Sequence, residues 1–535
     1  MIRAALGDCG EMARDGSRRR RRRLSRSRDD EYPRYLEERA RRQTASHGSR
    51  GARGPFRRSL LPLASFVLAA GCLPYDPVER AAPPLDVPAE YASGGEAVEE
   101  PEELRRGWWV AFGDPRLSDL VGRTLSSNFQ LHAAWARLEQ ARAVAELAGA
   151  PHWPQVGLEL SAGRQRQRFG EFPPQEFNTF AASIPASYEL DLFARIGAEA
   201  TAAELDARAA RLDVEALAMT LAAQLAEAWF DLADLSARRA LLEQQLETNG
   251  TFLELIQLRF ETGIASALDV YQQQQQVVAT RAQLTLIVSQ ERVRRNQIAV
   301  LAGVAPRSLS SDGPVALPDL PPLPDGGVPL AMIQQRPDLR AAQVRVSAAD
   351  YRVGAAIADW FPRLTVRGSV GVSGQELSEL FDLDSLVWSI LGAVTQTIID
   401  GGRRSAEIDR RQGIVYERLA GYGQAFLTAV SEVDNAVSLE AQQRENIAEL
   451  ERQIEIAGAT LREARNRYRE GLTDFLNVLT ALTSLHNAQL ALQNARRQLV
   501  SHRIQLVRAL GGSWSGELVP PERLEPAEME GSEED

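Results

Sequence analysis

Arg259-Phe260-Glu261-Thr262-Gly263, followed by Leu268-Asp269-Val270, returns as Arg467-Tyr468-Arg469-Glu470-Gly471, followed by Leu476-Asn477-Val478. The offset is 471 − 263 = 208 residues. The same offset carries Trp153-Pro154 onto Phe361-Pro362, Ala194-Arg195 onto Gly402-Arg403, Ala198-Glu199 onto Ala406-Glu407, and Gly303 onto Gly511. One spacing maintained from about residue 128 to 303 marks a duplicated architectural unit. Two copies are too few for a solenoid.

Working outward from these hairpin glycines, each copy reads as a helix, two strands and two long helices. Residues 114–150 are helical by period. Pro154 to Gly163 then switches to period two, with Val156, Leu158, Leu160 and Ala162 on one face. A second strand is expected over about 179–190, where Phe180, Ala182, Ile184, Ala186, Tyr188 and Leu190 alternate. The strands of the second copy fall at about 363–373 and 385–398. These lengths suit tilted membrane strands of about 9–11 residues. From Arg195 to Glu261 there is no proline, and Gly197 and Gly250 are the only glycines. Leu212, Leu217, Leu221, Leu225, Ala228, Trp229, Leu232 and Leu235 recur at helical spacing. At 1.5 Å per residue such a helix reaches about 100 Å. Gly263 ends it, and a second helix is expected from about Leu268 to Leu301. Copy two repeats the pattern as Arg403 to Glu470, a turn at Gly471, and Phe475 to Leu510. Helices of this length pack as coiled coils.

Strand pairs attached to such helices constrain the assembly. Four strands cannot close a transmembrane barrel, because the smallest have about eight. An open sheet edge in hydrocarbon leaves backbone groups without partners. The chain is therefore expected to share a barrel with other copies. A homotrimer supplies twelve strands and a twelve-helix tube. The fold class expected is mostly α with a small β-barrel part.

The formal net charge of −11 conceals an asymmetry. Residues 1–71 hold 18 Arg against 8 acidic side chains, so the remainder has 61 − 18 = 43 basic against 72 − 8 = 64 acidic ones, a net of −21. An acidic body argues against nucleic-acid binding. There is no lysine. The two cysteines, Cys9 and Cys72, build neither a disulfide framework nor a zinc site. His47, His132, His152, His486 and His502 lack ligand spacing, and no HExxH, P-loop or Gly-x-Ser-x-Gly motif occurs. No catalytic constellation, metal site or cofactor is expected, and the chain reads as not an enzyme.

Arg57-Arg58 precede an apolar stretch, Leu60 to Ala70, that ends Leu68-Ala69-Ala70-Gly71-Cys72. This is a secretory signal, too short to span a bilayer. Its end resembles a bacterial lipobox, in which the Cys72 thiol would take a diacylglycerol and the new N-terminus an acyl chain. Leu73, in the place where an Asp would retain the protein in the inner membrane, favours the outer one. The expected segments are an Arg-rich disordered head (1–56) that is untranslated or removed, the signal (57–71), a Pro-rich tether (72–105), repeat 1 (106–303), an inter-repeat linker (304–330), repeat 2 (331–515) and an acidic disordered tail (516–535).

Several stretches now resemble one family. They are Trp108-Trp109 through Phe112-Gly113-Asp114-Pro115-Arg116-Leu117, Tyr188-Glu189-Leu190-Asp191-Leu192-Phe193-Ala194-Arg195, Arg336-Pro337-Asp338-Leu339-Arg340-Ala341-Ala342, Phe361-Pro362, and Asp400-Gly401-Gly402-Arg403. With the Gly263 and Gly471 hairpins, the chain over about 72–515 resembles the TolC-like outer-membrane efflux factors, in particular the lipoprotein branch of the RND-type channels. The resemblance implies a homotrimer with its barrel among outer-membrane lipid and its α-helical tube crossing the periplasm. It further implies that the tube docks on a periplasmic adaptor joined to an inner-membrane transporter, expected to be proton-driven. Energy would come from the pump, leaving this chain a passive duct with a gate at the tube tip.

The gate candidates lie beside the two hairpin glycines: Arg259, Gly263 and Asp269 in copy one, with Arg467, Tyr468, Gly471, Asp474 and Asn477 in copy two. Asp269 matches the family's usual acid. In copy two the inner carboxylate positions carry Asn477 and Thr480, with Asp474 as a substitute. The Gln272–Gln276 run is expected to form a polar face near the adaptor contact. Two other readings stay open: a lipid-anchored periplasmic coiled-coil scaffold without a pore, and a type I protein-secretion duct.

Overall fold

The computed structural model describes residues 107–521 apart from 169, 171–172, 309–315 and 321–332. The head, the signal, the tether with Cys72, most of the inter-repeat linker and residues 522–535 lie outside the described residues. In chain order the first repeat contains α1 (Pro115–Ser127), α2 (Phe129–Gly149), β1 (Gln155–Val156), β2 (Glu159–Gln167), β3 (Gln175–Leu190), α3 (Arg195–Glu261) and α4 (Ala267–Leu301). The second contains α5 (Pro337–Ala358), β4 (Arg363–Gly374), β5 (Leu386–Thr395), α6 (Arg403–Arg469) and α7 (Phe475–Leu510). Both long helices, α3 and α6, are 67 residues: α3 has the expected bounds and α6 ends at Arg469, one residue before the expected Glu470.

The helix expected over 114–150 is two helices. Asn128 separates α1 from α2 with an extended backbone, and its side chain accepts from the amides of Gln130 and Leu131. Asparagine caps orphan helix donors well. A distant partner holds the break: Asn128 Nδ2 donates to the Leu301 carbonyl at the end of α4, at 2.9 Å. Gly303 follows in the left-handed region, φ 72°, and a Cβ there would stand 2.2 Å from the Ser127 carbonyl oxygen. The strands also shift: β2 runs on to Gln167, β3 starts at Gln175, and β5 stops at Thr395.

The five strands form one antiparallel sheet. β1 and β2 both pair with β3, β3 pairs with β4, and β4 pairs with β5. The central β3–β4 pairing joins the two repeats. The outer edges of β2 and β5 have no strand partner among the described residues.

Beneath the sheet, α3 and α4 form one antiparallel hairpin and α6 and α7 another. An aromatic core wraps the middle of α3, where Trp108, Phe112, Trp135, Trp229, Phe230 and Trp514 are buried together. Trp229 Nε1 donates to Asp114 at 2.8 Å, so the Phe112-Gly113-Asp114-Pro115 stretch both caps α1 and anchors it on α3. The Arg336-Pro337-Asp338 stretch is likewise structural: Pro337 opens α5, and Arg336 pairs with Asp338 at 2.8 Å and with Glu432 of α6 at 2.7 Å. No helix among the described residues is long and apolar enough to cross a membrane.

Candidate functional site: a two-faced sheet and the tip of the helical hairpins

Successive rows of the sheet alternate in character, because strand side chains alternate faces. The row Leu160, Ala182, Val372, Leu386 is apolar across four strands. So are Ile184, Val370, Trp388 and Leu190, Leu364, Val394. The rows between belong to the other face and are mixed: Pro185, Ser369, Ser389 and Glu189, Thr365, Ala393 carry polar groups, while the rows of Ser183 and Ser187 end in Val387 and Leu391 on β5. The Ser369 and Ser389 hydroxyls lie 2.8 Å apart there. The apolar face is bare, with Trp388 at 72%, Ile390 at 75% and Val394 at 69% exposure.

From Phe180 to Leu190 the apolar face of β3 spans ten residue steps. At about 3.4 Å per step and a tilt near 40°, that is about 26 Å of height, close to the roughly 25 Å apolar band of outer-membrane barrels. Aromatics mark its lower rim, where Trp153, Trp360 and Phe361 are exposed and Phe361 stacks on Phe193 at 4.7 Å. Trp and Tyr concentrate at membrane interfaces for their amphipathic rings.

At this rim the strands turn into the long helices. Ala194 and Gly402, equivalent by the repeat offset, both adopt left-handed backbone (φ 54° and 86°). Asp191 accepts from the amides of Ile196 and Gly197 to start α3, and Asp400 from those of Gly402 and Arg404 to start α6. Arg404 then stacks over Trp360 at 4.5 Å and pairs with Asp400 at 2.6 Å. Those bonds hold the Asp400 carboxyl below the usual carboxylate range.

At the opposite end of the helices, Gly263 and Gly471 take φ 74° and 75°. In each hairpin the glycine amide reaches back to the carbonyl three residues earlier, and the next amide reaches the carbonyl five before it: Ile264 to Arg259, Leu472 to Arg467. These are Schellman-type helix ends, for which glycine is favoured. The two hairpins are packed together by Ile256, Leu461, Phe475, Val478 and Leu482.

Three of the candidate gate residues, Arg259, Tyr468 and Asp269, lie close enough to act on one another electrostatically. Arg259 and Tyr468 meet across the hairpins, the guanidinium 4.5 Å from the ring centroid, with Phe475 packed against the same ring at 5.7 Å. Burial pushes the Tyr468 phenol up. Asp269 is committed locally: its carboxylate accepts from the Ser266 amide at 2.9 Å while the Ser266 hydroxyl accepts from the Asp269 amide. The equivalent pair in copy two is Asp474 and Asn477. Asp474 is the N-cap of α7 without a side-chain capping bond, and Asn477 Nδ2 donates to Thr473 at 2.5 Å. Arg467 is exposed.

The Gln272–Gln276 run is not one polar face. A helix distributes five consecutive residues around its circumference, so Gln273 is fully buried and donates to the Asn249 carbonyl at 2.8 Å. It belongs to a polar layer between helices that the sequence reading overlooked. There Asn249 donates to Thr280 at 3.0 Å, and Gln245 donates to Gln489 at 3.2 Å. An Asn-Gly pair (Asn249-Gly250) inside a long helix was the available signal, since both residues disfavour helix interiors. Asp234 was also overlooked, although it interrupts the apolar stripe Leu232 to Leu235. It borders a cavity of about 420 Å³ with Asp231, Arg238, Arg294 and Arg497. Burial raises its pKa from 3.8 to about 6, against the opposing pull of Arg238.

This architecture has known counterparts. A profile of the outer membrane efflux protein family matches residues 120–304 and 328–512. The two segments start 328 − 120 = 208 residues apart, the offset of the sequence repeat. The pyoverdine export outer membrane protein OpmQ of Pseudomonas putida is 29% identical over 467 residues, covering 86% of this chain and 97% of that protein. A Salmonella typhimurium protein named "Probable outer membrane lipoprotein SilC" is 26% identical, covering 86% and 99%. The solved structure of the outer-membrane channel OprN superposes with a TM-score of 0.76 at 30% identity, covering 82% of this chain and 98% of that one. The chain belongs to the outer membrane efflux protein family.

Proposed function

We propose that this outer-membrane efflux channel acts as the passive exit duct of a tripartite system. Three copies close a twelve-stranded barrel, its apolar face against lipid and its polar face lining the pore. Twelve helices continue the wall as a periplasmic tube. One observation carries this reading: a sheet with a bare apolar face, a more polar opposite face and two edges without a strand partner among the described residues sits at the end of helical hairpins about 100 Å long. Unpaired edges are forbidden in hydrocarbon, and pooling the sheets of several copies removes them.

The tube tip meets a periplasmic adaptor coupled to an inner-membrane transporter, which supplies the energy. The gate is the contact between the two hairpins, with Arg259 over the Tyr468 ring as its central link. A cation–π contact of about 0.5–2 kcal/mol per subunit suits a closed state that a binding partner can shift. The neighbouring Asp269, Arg467, Asp474 and Asn477 tune the tip by charge and capping. Acylation of Cys72 anchors the mature chain to the membrane.

Purified protein in planar bilayers tests the reading. The expected result is a heat-resistant trimer with a steady, voltage-insensitive conductance. An elongated monomer without conductance would overturn it in favour of a scaffold.

A further inference from the structure

The lipid-side face of β2 changes character at its outer end. Leu160 and Ala162, opposite Ala182 and Phe180, are followed on the same face by Arg164 and Arg166, opposite Asn178 and Glu176, and then by Arg168. Arg164 and Arg166 are 71% and 67% exposed. Among the described residues, Glu176 is the one carboxylate paired with them, 2.8 Å from Arg164 and 3.8 Å from Arg166. Glu176 is thus shared between two guanidinium groups, and Arg168 follows them on the same face.

The opposite free edge carries the complementary charge. β5 is entered through a loop holding Glu376, Glu379, Asp382 and Asp384, and no basic residue occurs between Arg367 and Arg403. The bonds made by these acids are local: Glu379 accepts from the Gln375 amide at 2.7 Å and Asp382 from the Asp384 amide at 3.0 Å. Neither bond brings a positive charge.

The strand ends are staggered across the sheet in the way a closed ring would need. Gln167, at the end of β2, pairs with Gln175, whereas Leu386, at the start of β5, lies on the row of Val372 and Ala182. The row has moved 182 − 175 = 7 residues across one subunit's sheet. A closed barrel requires such a shear, because its strands are tilted. Ring closure then brings the outer end of β2 beside the outer start of the antiparallel β5 of the next copy.

We propose that the outer rim carries an inter-subunit charge clasp, in which Arg164, Arg166 and Arg168 of one copy meet the acidic β4–β5 loop (Glu376, Asp382, Asp384) of the next. The clasp rests on the closed-ring reading above. It sets the register and direction in which copies join, since two β2 edges or two β5 edges would place like charges side by side.

The test uses the full chain in its assembled state. The Arg166→Cys, Asp384→Cys double variant should give oxidant-dependent covalent oligomers after boiling, which neither single variant gives. Reversing the ladder (Arg164→Glu, Arg166→Glu, Arg168→Glu) should lower the temperature at which the trimer dissociates by several degrees. Adding Glu376→Arg, Asp382→Arg and Asp384→Arg should restore it. If trimers persist without the cross-link, and the combined reversal is no more stable than the ladder reversal alone, the clasp is overturned. The arginines would then face anionic lipid phosphates. A monomeric parent chain would instead overturn the closed ring itself, before any variant is made.

Discussion

At the scale of single residues, two buried titratable groups pull stability in opposite directions with pH. Asp234 has a folded-state pKa of about 6 against 3.8, because burial outweighs its arginine neighbours. Its charged form is disfavoured in the fold, so the penalty is absent below about pH 4 and grows as pH rises through 6. The shift corresponds to about 3 kcal/mol. Asp234→Asn should therefore raise the thermal unfolding temperature at pH 8 and leave it nearly unchanged at pH 4. His486 is depressed from 6.5 to about 4 by burial. Its neutral form fits the fold, so its contribution is intact above pH 6.5 and is lost as pH falls toward 4, again by about 3 kcal/mol. His486→Leu should remove part of the acid sensitivity, read as a flatter unfolding temperature between pH 7 and 4. Gly263 and Gly471 act on the backbone instead. Alanine in the left-handed conformation costs about 1–2 kcal/mol, and it should loosen the tip without touching the sheet.

At the scale of elements, the two faces of the sheet and the tip contact each make a separable prediction. Ile390 and Ser389 are neighbours on β5 with opposite outlooks. An arginine at a lipid-facing position near mid-membrane costs about 2–4 kcal/mol, whereas one facing the lumen changes selectivity. Ile390→Arg should sharply reduce the yield of folded protein in the outer membrane, while Ser389→Arg should fold and alter the ion preference of the pore. At the tip, the Arg259 guanidinium contacts the ring of Tyr468, and the buried phenol oxygen has no hydrogen-bond partner. Tyr468→Phe should therefore keep the closed-state conductance. Arg259→Ala and Tyr468→Leu should both raise it, measured on single channels. Equal conductance in all three would remove this contact from the gate.

At the scale of the whole molecule, length and symmetry combine. One chain supplies two hairpins and a four-strand-wide sheet, neither of which encloses a pore alone. In the proposed ring, the charge on the two sheet edges would give each copy a polarity, and the core of Ile256, Leu461 and Phe475 packs the two hairpins together at the tip. Weakening that core with Phe475→Ala should cost about 3–5 kcal/mol locally. Faster proteolysis near Gly263 and Gly471, with the barrel still intact, would report it.

The repeat, both 67-residue helices, the hairpin glycines and the alternating strands were all legible in the sequence, because helical and strand periods are local properties of the chain. Even the two-faced sheet could be read that way, since a period of two separates its faces before any pairing is known. Other features depend on residues far apart in sequence. The break at Asn128 is held by a carbonyl 173 positions away. Gln273 is buried because Asn249 faces it across a hairpin, and Arg259 finds Tyr468 only when two hairpins pack. The β3–β4 pairing and the seven-residue stagger belong to the same class. Local sequence determines the period, length and ends of each element, whereas partners across elements are decided by close packing in three dimensions, where one helical turn or one strand step exchanges every neighbour.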